Sequence, residues 1–151
     1  MNDHQRFMKA ALNEAKKAAF EGEVPVGCVI VKDGKIIARG RNARESKKNA
    51  LLHAEIRAID KACKKLGGWR LWQCELYVTL EPCPMCTGAI INSRIKKVYV
   101  GAEDPKAGAM GSVVNLTEFP FNHKPEIEFG LMREEAQAEL KNFFKNLRNK
   151  K

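Results

Sequence analysis

Residues 76–102 read LYVTLEPCPMCTGAIINSRIKKVYVGA, and this stretch decides the fold. Its ends, Leu76 to Leu80 and Lys97 to Ala102, are short apolar runs of the kind that form buried strands. Between them, the segment from Pro84 to Ser93 is predicted to be a helix, because proline is common in a first helical turn. Strand–helix–strand crossovers are right-handed and join parallel strands. The stretch therefore predicts a βαβ unit, with any ligand at the carboxyl ends of the strands.

The N-terminal third predicts a helix followed by a hairpin. Apolar residues recur at helical spacing from Asp3 to Phe20, which indicates an amphipathic helix. Two β-branched runs follow, Val26 to Lys32 and Lys35 to Arg39. They are joined by Asp33-Gly34, which suits a two-residue turn because both central residues need positive φ. The sheet is therefore expected to be mixed, with an N-terminal β-hairpin and the βαβ unit.

The remaining segments predict two more helices and one more strand. Residues 41–49 read as a polar loop, and the second helix runs from His53 to a stop at Leu66-Gly67-Gly68. Residues 104–125 are expected to form an ordered loop, and residues 126–129 a last strand. The final helix has two faces, an apolar stripe of Ala136, Leu140, Phe143, Phe144 and Leu147, and a basic face of Lys141, Lys145 and Arg148. We expect one domain spanning residues 1–151.

Composition limits the partners and the location. The formal net charge of +9 makes polyanions natural partners, although a basic surface that serves only solubility is equally compatible with it. No apolar run is long enough to cross a bilayer. The N-terminus lacks a secretory pattern, and five cysteines are too few for a disulfide scaffold. We therefore expect a cytoplasmic protein with no membrane association.

Two short motifs predict a metal site. Cys83 and Cys86 fall in the first turn of a helix, where free N–H groups and the helix dipole favour the thiolate that zinc binds. His53-Ala54-Glu55 supplies an imidazole and a carboxylate at the start of the preceding helix. One histidine and two cysteines leave tetrahedral zinc an open position, as in catalytic sites. Zinc would activate water there, and Glu55 could move protons in a hydrolytic deamination.

This prediction has a geometric condition and several alternatives. Residues i and i+2 of a regular helix point about 200° apart, so His53 must precede the regular helix if it is to converge with Glu55. The cysteine pair could instead be a redox pair or part of a closed zinc site. One of the cysteines could also be a nucleophile with a histidine as its base, but that role gives no reason for the second cysteine. A closed site needs a fourth ligand. Cys28 and Cys63 fall in apolar patterns and are expected in the core, which leaves Cys74 as the one plausible spare.

HAE, followed by PCPMC with its first cysteine thirty positions after the histidine, resembles the zinc-dependent nucleoside and base deaminase superfamily. The resemblance covers nearly the whole chain. GEVPVGCVIV, LYVTLEPCPMCTGAIINSRI, GAEDPKAGAMGS, FNHKPEIEFG and FFKNLR look like the family of bacterial tRNA-specific adenosine deaminases. It implies a three-layer α/β/α sandwich of the cytidine-deaminase-like fold. The implied activity is conversion of adenosine to inosine at the wobble position, the first anticodon position, of tRNA.

The resemblance also implies roles for individual residues. Glu55 would be the proton shuttle, and one Zn2+ per subunit would be held by His53, Cys83 and Cys86. The implied RNA contacts are Asn42 to the flipped nucleoside, and Arg44, Asp104, Lys106, Phe144 and Arg148 to anticodon-loop nucleotides. Phe144 also lies on the apolar stripe, which favours a core position equally well. A homodimer is implied, with the tRNA anticodon stem-loop lying across both subunits.

The basic C-terminus favours an RNA substrate for an independent reason. No acidic residue follows position 140, while five cations do, Lys141, Lys145, Arg148, Lys150 and Lys151. Neutralising phosphates adds affinity, and an anticodon loop presents adenosine without breaking a duplex. Two alternatives remain, a guanine or cytosine deaminase that acts on a free base and shares both motifs, and a non-catalytic zinc module that binds RNA.

Overall fold

The computed structural model describes residues 1–149, so Lys150 and Lys151 of the predicted basic tail lie outside the described residues. Every predicted element is present. In chain order the elements are α1 (Asp3–Phe20), β1 (Gly27–Lys32), β2 (Lys35–Arg41), α2 (Ala54–Leu66), β3 (Cys74–Leu80), α3 (Pro84–Asn92), β4 (Lys97–Ala102), β5 (Glu126–Phe129) and α4 (Arg133–Asn149). Several boundaries differ from the prediction by one or two residues, most clearly where β2 continues to Arg41 and β3 already begins at Cys74. A short 3-10 helix, Leu116–Glu118, lies within the predicted loop 104–125.

The strands form a mixed sheet in the order β2-β1-β3-β4-β5. Strand β1 is antiparallel to both β2 and β3, whereas β3, β4 and β5 are parallel. The β1–β2 turn has positive φ at Asp33 (52°) and Gly34 (75°), as the dipeptide predicts. In the parallel half, Leu80 pairs with Ala102, so β3 and β4 end side by side at one edge of the sheet. The predicted hairpin and βαβ unit are both confirmed.

Helices cover both faces of this sheet, which makes a three-layer α/β/α sandwich. One core lies between the sheet and helices α2 and α3, and includes Ala58, Ile90, Leu76, Val78 and Val100. The other lies between the sheet and helices α1 and α4, and includes Met8, Leu12, Tyr77, Tyr99 and Ala136. Alternate residues of β3 face opposite cores, as the two-residue period of a strand requires. The central strand is therefore buried on both sides.

Two glycines allow helices to lie directly on the sheet. A Cβ on Gly27 would stand 1.8 Å from the carbonyl oxygen of Ala11 in α1. A Cβ on Gly40 would stand 2.3 Å from the carbonyl oxygen of Ala54 and 2.8 Å from the amide nitrogen of Ala58. Glycine is thus required where each helix crosses a strand. The second contact fixes the first turn of α2, which carries Glu55, against β2.

The apolar stripe of α4 is buried only at its beginning. Ala136 is 1% exposed, but Phe144 is 41% and Leu147 47% exposed. The interpretation of Phe144 as a core residue is therefore wrong. The buried contact of α4 with the sheet lies at Ala136, against Gly101 of β4, whereas residues 142–147 border a surface groove beside Ala19 and Gly22. Among the helices of residues 1–149, none combines the length and the apolar character that a membrane crossing requires.

Candidate active site

His53, Cys83 and Cys86 converge on one point. The Nδ1 atom of His53 lies 3.6 Å from the sulfur of Cys83 and 3.4 Å from that of Cys86. Tetrahedral zinc, with bonds of about 2.0 Å to nitrogen and about 2.3 Å to sulfur, places such ligand atoms about 3.6 Å apart. The donor set therefore fits zinc in both chemistry and spacing. Within residues 1–149 no fourth histidine, cysteine or carboxylate joins the group, so Cys74 is not a ligand.

The ends of two helices create this geometry. His53 is the N-cap of α2, with an extended backbone (φ −75°, ψ 157°). Cys83 is the N-cap of α3 in the same conformation (φ −73°, ψ 175°), and Pro84 follows in the first turn. Because His53 precedes the regular helix, its imidazole turns toward the cysteines while Glu55 keeps a helical orientation. The geometric condition set by the sequence is met.

The charges of the site support thiolate chemistry and proton transfer. A hydrogen bond from the Cys86 thiol, assisted by His53, lowers the pKa of Cys83 to about 4 in spite of partial burial. The bond to Cys83 and its own burial raise the pKa of Cys86. Burial raises the pKa of Glu55 to about 7, which hydrogen bonding and the nearby His53 offset only in part. A carboxyl with a pKa near neutrality can both accept and donate a proton.

A cavity of about 590 Å³, including its mouth, opens onto the group formed by His53, Cys83 and Cys86, which is called the metal corner below because a metal is predicted there. Six of the residues singled out by the sequence line it, namely Asn42, Arg44, His53, Glu55, Cys83 and Asp104. Cys86 is fully buried behind them. Phe144 lies beside the cavity, in a groove that it shares with Asn42 and Arg44. Lys106 and Arg148 are exposed and line neither space.

Asn42 carries a buried polar atom that its neighbours in residues 1–149 do not satisfy. Its side chain is largely buried, and its Nδ2 atom donates to the carbonyl oxygen of Val24 at 3.4 Å. Its Oδ1 atom is buried and has no hydrogen-bond partner among the described residues. An unsatisfied buried acceptor is costly and rare in native proteins. Since this amide lines the cavity, a donor group of a bound substrate would satisfy it.

Two buried carboxylates near the cavity were not predicted from the sequence. Glu23 follows α1, and Glu81 follows β3 and itself lines the cavity. They are 1% and 2% exposed, and each accepts hydrogen bonds from backbone amides of a loop. The available signal was an acidic residue inside an otherwise apolar motif, in GEVPVG and in TLEPC.

Comparison with known proteins extends over the whole chain. Residues 2–148 match the family model of MafB19-like deaminases. The tRNA-specific adenosine deaminase of Bacillus subtilis (strain 168) is 51% identical, and the alignment covers 100% of this chain and 94% of that protein.

Two solved structures of deaminases are similar to this chain. One comes from studies of A-to-I editing by tRNA:A34 deaminases at the wobble position of transfer RNA. It has a TM-score of 0.87 at 45% identity, covering 89% of this chain and 99% of that one. A guanine deaminase from Bacillus subtilis has a TM-score of 0.66 at 37% identity, covering 99% and 95%. The predicted deaminase fold is confirmed, and of these two structures the tRNA:A34 deaminase is the more similar.

Proposed function

This chain belongs to the MafB19-like deaminase family and to the tRNA-specific adenosine deaminases, and we propose that it converts adenosine to inosine at the wobble position of tRNA. The reaction consumes one water molecule and releases ammonia. The proposal is carried by one observation, which is that identity to tRNA-specific adenosine deaminases extends over the full chain while both motifs meet at one cavity. The chain is thus a hydrolytic enzyme with an RNA substrate.

We propose that His53, Cys83 and Cys86 hold one zinc ion per subunit. Two sulfurs and an imidazole are donors that zinc prefers, and their spacing agrees with tetrahedral coordination. Zinc bound there supplies a Lewis acid that lowers the pKa of water toward neutrality.

Glu55 moves the protons. It is 3% exposed, lines the cavity, and stands outside the group of potential ligands. Its carboxylate takes a proton from the attacking water and gives it to a ring nitrogen of the adenine. The same carboxylate then passes the proton of the hydroxyl now bound to C6 to the amino group, so that the C–N bond breaks, ammonia leaves and the carbonyl group of inosine forms. Because Glu55 lines the cavity, both protons travel only a short distance between the carboxylate and the bound substrate.

The substrate is held by groups around and beyond the cavity. The buried Oδ1 atom of Asn42 accepts a hydrogen bond from the flipped nucleoside, and Arg44 and Asp104 border the cavity. Neighbouring nucleotides of the anticodon loop reach Lys106, Phe144 and Arg148 on the surrounding surface. The net charge of +9 and the exposed cations of α4 favour such a polyanionic substrate.

A second copy of the chain completes the proposed enzyme. We propose a cytoplasmic homodimer, with the anticodon stem-loop in contact with both subunits. An apolar surface lies beside α3, where Phe121 is 56% exposed next to Ile91 and contacts Phe119, which is 52% exposed. Exposed apolar patches of this kind commonly mark protein interfaces. Light scattering of the purified chain would test this proposal.

The alternative is a guanine or cytosine deaminase that acts on a free base. It shares the metal corner, so the choice rests on the basic surface and on the greater likeness to the tRNA:A34 deaminase. An enzyme whose substrate is a small neutral base does not need a basic surface.

The test compares substrates directly. The zinc-loaded protein is incubated with a tRNA transcript carrying adenosine at the wobble position, with the same transcript carrying guanosine there, with guanine and with cytosine. We expect inosine only in the first, measured by nucleoside chromatography after digestion, and at a rate lower by about 100-fold or more with Glu55→Gln. Ammonia release from a free base at the rate seen with tRNA would contradict the proposal.

A further inference from the structure

Glu81 stands between β3 and the predicted metal ligand Cys83, and its carboxylate has an unusual set of partners. Within residues 1–149 it forms no ion pair, although it is 2% exposed. One oxygen accepts hydrogen bonds from the amide of Asp104 at 3.0 Å and from the hydroxyl of Ser112. The other accepts from the amides of Met110 at 3.0 Å and Ser112 at 3.1 Å. All four donors belong to one loop.

This loop, residues 104–112, wraps around the carboxylate. A Cβ on Gly108 would stand 2.3 Å from the carboxyl carbon of Glu81, so only glycine allows so close an approach. The amide of Ala109 also donates to the carbonyl oxygen of Pro82 at 2.9 Å. A buried anion needs donors, and a loop with inward-pointing N–H groups needs an acceptor. The two therefore stabilise each other.

The same loop forms one wall of the cavity. Asp104 and Ala107 line it. The Oδ1 atom of Asp104 also accepts from the amides of Lys106 at 3.0 Å and Ala107 at 3.2 Å, which fixes the turn. Displacing the backbone around Glu81 would therefore displace the cavity wall.

Glu23 stands in the same relation to the opposite wall. It is 1% exposed and accepts from the amides of Glu45 at 3.1 Å and Ser46 at 2.6 Å. These amides follow directly after Arg44, which lines the cavity together with Asn42. Each wall is thus held by one buried carboxylate through backbone N–H groups.

We propose that Glu81 and Glu23 are positioning residues that fix the two walls of the substrate cavity by accepting backbone hydrogen bonds from the loops 104–112 and 44–46. This inference rests on the proposed function for its kinetic consequence. The proposed role of both carboxylates is structural, since both oxygens of each accept hydrogen bonds from loop donors and Glu55 carries the proposed proton transfer. Their contribution is to hold Asn42, Arg44 and Asp104 where the substrate meets them.

The matched control is Glu14, a third buried carboxylate that touches neither loop. It is 4% exposed and pairs with Arg41 at 3.1 Å and Lys17 at 3.2 Å. Glu14→Gln should lower stability without moving either wall. Glu14→Gln therefore shows the effect of removing a buried negative charge alone, without the displacement of a cavity wall.

The kinetic test uses Glu81→Gln, Glu23→Gln and Glu14→Gln in the zinc-loaded protein. A glutamine keeps the size but presents an NH₂ group, which cannot accept, to N–H donors. We expect the KM for wobble-adenosine tRNA to rise roughly tenfold or more in the first two variants, with a smaller fall in kcat and full zinc content. Unchanged KM in both, with stability losses like that of Glu14→Gln, would overturn the inference.

A second measurement does not depend on activity. Amide hydrogen exchange should become faster at 104–112 in Glu81→Gln and at 44–46 in Glu23→Gln, each without effect on the other loop. If the wild type forms no inosine, the proposed function fails while exchange still decides the positioning role. Should Glu81→Gln not fold, Ser112→Ala removes one of the four donors and should show the same changes at about a twofold level in KM. Equal exchange in all variants would contradict the inference.

Discussion

The metal corner and the second half of α4 carry equally clear sequence patterns, yet they differ in how the structure uses them. The corner is built from two helix N-termini, where His53 and Cys83 are both N-caps with extended backbones. In α4 the apolar stripe continues to Leu147, but burial stops after the first turns. A cap is fixed by its own few residues, whereas the fate of a helix face depends on what lies beneath it. Local patterns therefore predict sites more securely than they predict packing.

The largest expected effect comes from breaking the corner itself. Cys83→Ser replaces a thiolate by a poorer zinc ligand, so metal affinity should fall by more than about 100-fold, the upper end of the effect of outer-shell changes. Turnover should be lost with it. Cys63→Ser, a thiol outside the corner, should retain the metal. Stoichiometric zinc in Cys83→Ser, measured by atomic emission after dialysis, would mean that the corner is not the metal site.

The next effect separates chemistry from metal binding within the corner. Glu55→Gln keeps the ligands and the shape of the cavity but removes proton transfer, so kcat should fall by about 10²–10⁴. Zinc content and tRNA affinity should stay at the wild-type level. A variant that loses its zinc would instead identify Glu55 as a ligand.

A smaller effect is expected from the exposed end of α4. Phe144→Ala removes an aromatic surface beside the cavity, and stacking on a base contributes about 1–3 kcal/mol, or roughly fivefold to a hundredfold in affinity. Thermal stability should change little, because the ring is 41% exposed. Trp72→Ala, an exposed aromatic residue at the other end of β3, is the control. Lower stability with unchanged tRNA binding would assign Phe144 to packing.

The smallest effect is expected from the basic face of the same helix. Replacing Lys145 and Arg148 by alanine should reduce the slope of log affinity against log salt by up to about 2, since each phosphate contact contributes about 0.7–0.9. Lys35→Ala, at the hairpin turn away from the cavity, should leave the slope unchanged. Identical binding curves for the double variant and the wild type would remove this face from the RNA surface.

Much of the fold and of the corner could be predicted because the signals are local. Asp33-Gly34 and Pro84 mark a turn and a helix start through their own backbone preferences. The position of His53 ahead of the regular helix, which its convergence with Glu55 requires, followed from counting residues along a helix. These inferences needed no knowledge of distant neighbours.

The walls of the cavity could not be predicted in this way. Glu81 accepts from amides 23 to 31 positions later, and Glu23 from amides 22 and 23 positions later. A glutamate whose donors are mainly backbone N–H groups has no oppositely charged side chain in the sequence that would reveal its partner. The exposure of the C-terminal half of α4 could not be predicted either, because apolar periodicity does not reveal which turns of a helix lie against the sheet.

The pairing of β3 couples the interior of the protein to its chemistry. Leu76 and Val78 belong to one core and Tyr77 to the other, while Glu81 and Cys83 follow one and three residues after the strand ends at Leu80. Sliding this strand by one residue would exchange its two faces and carry both acid and thiol away from their partners. Insertions and deletions should therefore be tolerated in the exposed loop around residues 47–50, and should abolish folding or activity between residues 74 and 83.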